Sequence, residues 1–107
     1  MKPERMEVYW LDAHRSLSLA ELSELSGLPL AELGELVDRG VFEPSTVEAD
    51  GHRFAAGCVT AARTAARLRT DFDLQPSGLA LAMKLLERVR ELEVQMRDLQ
   101  ARLPRYR

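Results

Sequence analysis

The side chains here best able to do chemistry are carboxylates. In SLAELSELSGLPLAELGELVDRGVFEP, residues 18–44, the acids Glu21, Glu24, Glu32, Glu35 and Asp38 recur along two helix-like stretches, and no Lys or Arg stands between Ser16 and Asp38. Charges spread this way suit steering and pairing with a basic partner better than they suit a reaction. No serine or cysteine nucleophile has a recognisable His and acid arrangement, and no glycine-rich loop is present to cradle a phosphate. The single cysteine, Cys58, cannot form an internal disulfide, and neither it nor His14 or His52 has zinc-ligand spacing. Cys58 is expected to be a small apolar residue on a helix, and the two histidines to be surface residues. The chain is therefore predicted to be non-enzymatic, with no cofactor and no metal.

Each acid also has a local reading. Glu21 is the capping-box partner of Ser18, Glu32 is a first-turn acid favoured by the helix dipole, and the others are a solvated face. The wider charge distribution makes the grouping informative. Residues 1–52 carry 4 basic and 11 acidic groups, and residues 53–107 carry 11 basic and 6 acidic, so a net charge of −2 conceals halves of −7 and +5. The acidic half should prefer a basic partner.

The elements that must position these acids are read from periodicity and punctuation. After the Ser18–Glu21 box, Leu19, Leu22 and Leu25 recur at helical spacing until Gly27 ends a short first helix. Pro29 suits the first turn of a second helix, whose buried stripe is predicted to be Leu30, Leu33, Leu36 and Val37, ending at Gly40. From Val41 to Phe54 the pattern breaks. Pro44 and the Asp50-Gly51 pair mark turns, and the flanks VFEP and HRF are expected to pair as a small hairpin, where a winged helix carries its wing. Upstream, Val8, Tyr9 and Trp10 favour a short strand. Ala55–Asp71 reads as a third, Ala-rich helix with Val59, Ala62, Ala66 and Leu68 inward and Arg63, Arg67 and Arg69 as its basic residues.

Residues 77–103 contain no proline, and Leu85, Val89, Leu92, Met96, Leu99 and Leu103 repeat at alternating spacings of four and three. That is a heptad seam. A helix of 27 residues is about 40 Å long at 1.5 Å per residue, which exceeds the roughly 30 Å width of a small domain. Its far end needs another surface, and the seam predicts pairing with a second copy as a homodimer, with folding back along its own core or fraying near Pro104 as the alternative. Pairs Glu93–Arg97 and Asp98–Arg102 fit i,i+4 helix geometry.

At 107 residues and 46% hydrophobic content the chain supports one structural domain with one modest core. Residues 1–76 form its winged helix-turn-helix part and 77–107 its long C-terminal helix. The N-terminus lacks the apolar stretch of a signal peptide, and no apolar run approaches the length of a membrane span, which predicts a cytoplasmic protein.

The order helix, turn, helix, hairpin, helix, long seamed helix resembles the MerR-type winged helix-turn-helix: mostly α, with a small β-hairpin wing. That resemblance implies DNA binding, for which Arg39, Arg53, Arg63 and Arg67 are the candidate contacts. Where the usual pattern of that family has an Arg and two aromatics, this chain has Gly34, Glu35 and Leu36, and only Arg53 matches a wing arginine. DNA affinity comes largely from Lys and Arg at phosphates, and an acid held about 4 Å from a phosphate costs on the order of 1 kcal/mol even in water. The sequence thus disfavours DNA as the partner.

In detailed wording, Leu33-Gly34-Glu35-Leu36-Val37 followed by Gly40-Val41 and Glu43-Pro44, then Arg67-Leu68-Arg69, then Gly78 at the opening of the long helix, resembles the CbpM-type chaperone modulators across residues 17–103. Proteins of that type bind the J-domain of a DnaJ-like, curved-DNA-binding (CbpA-like) co-chaperone and restrain its work with the DnaK ATPase. The resemblance implies such an inhibitor, and a basic helix on the J-domain is a suitable counterpart for the acids at Glu21, Glu24, Glu32, Glu35 and Asp38.

Overall fold

The computed structural model describes residues 16–49 and 51–104. The strand expected at Val8–Trp10, and His14, lie outside the described residues. Within them the order is β1 (Ser16–Ser18), α1 (Leu19–Ser26), α2 (Leu30–Asp38), β2 (Thr46–Glu48), β3 (Gly51–Ala55), α3 (Cys58–Phe72) and α4 (Pro76–Arg102).

The capping box forms as its sequence dictates. Ser18 Oγ accepts from the Glu21 amide at 3.1 Å, and Glu21 Oε1 accepts from the Ser18 amide at 2.9 Å. Gly27 ends α1 in the left-handed region at φ 89°, its amide donating to the Ser23 carbonyl. The three residues between the helices are wired by serines: Ser23 Oγ donates to the Leu28 carbonyl at 2.6 Å, and Ser26 Oγ accepts from the Leu28 amide at 3.2 Å. This local bonding fixes where α2 leaves α1.

At the far end of α2 the amides of Gly40 and Val41 donate to the carbonyls of Val37 and Leu36, with Gly40 at φ 82°. This is a Schellman cap, and it corrects the hairpin. Val41 spends its amide on the cap, Phe42 turns into the core at 4% exposure, and Pro44 has no amide for a ladder. The wing is built instead from Thr46–Glu48 against Gly51–Ala55, with Val47 opposite His52. A third strand joins it: Leu17 of β1 pairs with Phe54, giving the antiparallel order β1-β3-β2.

The core gathers around Phe54, Leu17, Leu22, Leu33, Leu36 and Leu79, each 2% exposed or less. Helix α3 contributes Val59, Ala62 and Ala65, and the two alanines, fully buried, let its backbone approach its neighbours closely. The inward set is thus Ala65 where Ala66 was expected, and Ala66 and Leu68 are only partly buried. The helix also starts three residues late, because Ala55 belongs to β3. Leu30 departs further: it is 51% exposed and does not join the α2 stripe formed by Leu33 and Leu36.

Helix α4 begins with Pro76 at its first turn and inserts Leu79, Ala80 and Met83 into the same core. From Glu87 to its end every residue is exposed. The molecule measures 58 × 34 × 32 Å, its long dimension consistent with a projecting helix. Asp98 and Arg102 pair at 3.1 Å and Arg88 and Glu91 at 3.1 Å, whereas Glu93 and Arg97 form no ion pair. No helix among the described residues is long and apolar enough to cross a membrane.

Candidate partner-binding face

At about 100° per residue, the nine residues of α2 and the Arg39 that caps it divide into four groups. Leu33 and Leu36 point to the core. Glu32 and Arg39 lie on the side toward α3. Leu30, Gly34, Val37 and Asp38 lie on the side toward the wing, next to the exposed ridge of Ala31 and Glu35.

The five acids consequently meet different fates. Glu32 is engaged by Arg69 of α3 in a two-pronged pair, with the second nitrogen donating to Oε2 at 2.9 Å. That hydrogen bond holds the Glu32 carboxyl below its ordinary range and pushes the Arg69 guanidinium up. Glu21 is bound into the capping box. Glu24, Glu35 and Asp38 are exposed, and Glu35 keeps a loose contact with Arg39 at 4.0 Å. The structure therefore brings three of the five acids to solvent and commits two to internal bonds.

The arginines considered for DNA are sorted in the same way. Arg53, the wing residue, donates from Nε to Ser16 Oγ at 3.1 Å and from its terminal nitrogen to the Ser16 carbonyl at 2.9 Å, clamping β1 to β3. Arg63 donates to the Leu25 carbonyl at 3.0 Å, placing a cation at the C-terminal end of α1 where the helix dipole favours one. Arg39 and Arg67 remain exposed. Three arginines of the basic half, Arg53, Arg63 and Arg69, are thus spent on holding the acidic half in place. Cys58 is partly buried, and that burial pushes its thiol up, away from reactivity. Among the described residues no group of His, Cys, Asp and Glu is placed to hold a metal.

Between α2 and the wing lies a mainly apolar groove of about 490 Å³. The half-exposed Leu30 and the partly buried Val37 line one side, Leu19 and Ala20 also line it, and His52 stands on the wing side in edge-on contact with Phe54, ring centroids 6.5 Å apart. Gly34 opens it: a Cβ at this position would meet nothing within 4 Å. Sequence reasoning missed the groove because it placed Leu30 in the core. A signal was available in Gly34, since a glycine inside a helix costs about 1 kcal/mol relative to alanine.

The profile of the MerR HTH family of regulatory proteins matches residues 17–101, from β1 almost to the end of α4. A chaperone modulatory protein CbpM of Escherichia coli O1:K1 is 30% identical over 91 residues, covering 85% of this chain and 90% of that protein. The chain belongs to the CbpM family, within the MerR helix-turn-helix class. Other proteins named CbpM agree: one from Pseudomonas putida is 35% identical over 67% of this chain and 71% of its own length, and one from Coxiella burnetii is 29% identical over 78% and 79%. In this CbpM-family chain α2 carries Gly34 and Glu35, where the resemblance to the MerR pattern would place an arginine and an aromatic.

Proposed function

We propose that this protein is a non-enzymatic chaperone modulator that binds the J-domain of a DnaJ-like, CbpA-type co-chaperone and so restrains its cooperation with DnaK. One observation carries the reading: Glu24, Glu35 and Asp38 are solvent-exposed on the helix-turn-helix, while Arg53 and Arg63 are bonded internally. A polyanion would meet carboxylates where it needs cations. A basic protein helix would meet complementary charge, which speeds encounter and fixes orientation.

The exposed seam of Leu85, Val89, Leu92, Met96, Leu99 and Leu103 supports a homodimer through α4, which would carry two such faces.

The test is a salt titration of binding to the purified J-domain, run with the wild type and with Glu24→Lys combined with Glu35→Lys. Both positions are exposed, so circular dichroism should report an unchanged fold. The double variant is expected to bind more weakly, to lose most of the salt dependence and to release J-domain stimulation of the DnaK ATPase. Unaltered affinity would remove this face, and tight binding of the wild type to duplex DNA with a steep salt slope would replace the reading altogether.

A further inference from the structure

We infer that the groove between α2 and the wing is an anchor site for apolar side chains presented by a basic amphipathic helix of the partner, with Gly34 as the opening that admits them. The inference rests on the proposed binding face and deepens it, for the carboxylates would orient the partner and the groove would supply the burial.

Four observations define the occupant. First, the groove is an open depression, not an enclosed cavity, whereas small-molecule sites enclose most of their ligand. It suits side chains projecting from a larger surface. Second, the wing strand that lines it, through Gly51, His52 and Phe54, is β3, the central strand, paired with β2 along Gly51–Arg53 and with β1 along Arg53–Ala55. That leaves at most Gly51 and His52 on the β1 side for a further strand, shorter than strands usually are, so recognition by side-chain insertion is favoured, for which an amphipathic helix laid into a groove is the general solution. Third, Asp38 lines the groove, Glu35 stands on the adjoining ridge, and among the described residues no Lys or Arg lines it. The charge of the inserted helix must therefore be positive around its apolar residues. Fourth, Leu30 and Val37 are apolar, 51% exposed and partly buried respectively, and flank a glycine with free space above it. Buried apolar anchors rather than rim charges carry most binding energy at such contacts.

Gly34 makes the groove separable from the charges. A side chain added there enters the groove without collision and removes a helix-disfavouring residue. Gly34→Leu should fill the space, Leu30→Ser should strip one wall, and Gly34→Ala serves as a control that adds a single methyl.

The experiment measures binding of each variant to two probes, the purified J-domain and a synthetic 18-residue amphipathic helix of Lys and Leu, with thermal melts in parallel. Gly34→Leu and Leu30→Ser should each weaken both probes by at least ~10-fold, equivalent to about 1.4 kcal/mol, while the residual salt slope stays that of the wild type. Gly34→Ala should bind within about twofold and melt at or above the wild type. If Gly34→Leu does not fold, Leu30→Ser, altered at a half-exposed position, decides. Wild-type affinity for the J-domain in both groove variants overturns the anchor site and leaves the proposed function standing. Groove-dependent binding of the Lys-Leu helix without any J-domain binding upholds the anchor and overturns the proposed function. Failure of the wild type to bind either probe overturns both.

Discussion

Leucines at helical spacing occur at both ends of this molecule with opposite outcomes. In the head, Leu22, Leu33, Leu36 and Leu79 are fully buried around Phe54. Along the outer part of α4, Leu85, Val89, Leu92, Met96, Leu99 and Leu103 lie between 42% and 64% exposed. The periodicity is equally regular in both. What differs is whether the chain supplies a second layer: α1, α2, α3 and the sheet converge on the head, and among the described residues no other element covers the far turns of α4. A helix with one apolar stripe and no covering layer within its own chain is a surface awaiting a partner.

The largest effect should come from breaking the head. Leu33→Ala removes a fully buried side chain shared by α2 and the core, and the cost expected for such a truncation is about 2–5 kcal/mol. Denaturant titration should show the midpoint falling accordingly. A loss below about 0.5 kcal/mol, the scale of ordinary surface substitutions, would place Leu33 with the seam rather than the core.

Next in size is the reverse experiment on α4. Leu92→Glu with Leu99→Glu should leave the head's melting temperature intact and weaken self-association by at least ~10-fold, read by sedimentation equilibrium as a shift from two chains to one. A wild type that stays monomeric at high concentration would end the homodimer proposal.

The smallest effect sharpens the boundary between the acidic and basic halves. Because the hydrogen bond from Arg69 lowers the Glu32 carboxyl, the folded state holds that proton less readily than the unfolded chain does. The pair's stabilisation is therefore complete above the unfolded value of about 4.3, and is lost as pH falls through the lower folded value. Glu32→Gln should melt slightly below the wild type at neutral pH, and the difference should vanish in strongly acid solution. A difference that is unchanged in acid would assign the effect to packing instead of the ion pair. The two side chains remain 26% and 37% exposed, so solvent screening keeps the effect modest.

Much of the head was legible because its signals are local. Ser18 and Glu21 lie three residues apart and cap the same helix they begin, and Gly27 and Gly40 end theirs at positive φ. The hairpin misled because VFEP has strand-like composition, while the amide of Val41 is taken by the cap of the preceding helix. Leu30 misled for a related reason: a stripe of four apolar residues is wider than the face α2 can bury, and its edge was left to line the groove. Of the acids, Glu24, Glu35 and Asp38 reach solvent as expected, but the commitment of Glu32 depends on Arg69, 37 residues away.

The sequence by itself determined the helices and their caps, the heptad seam, the family and the opposed charges of the two halves, because each rests on neighbours within a turn or on a count. Tertiary structure decided which charges stay available and which apolar residues stay uncovered. Arg53, Arg63 and Arg69 are spent on internal bonds, and Leu30, Gly34 and Val37 open a groove only once the wing stands opposite them. Those outcomes depend on contacts between segments tens of residues apart, and such contacts exist only when the core has formed.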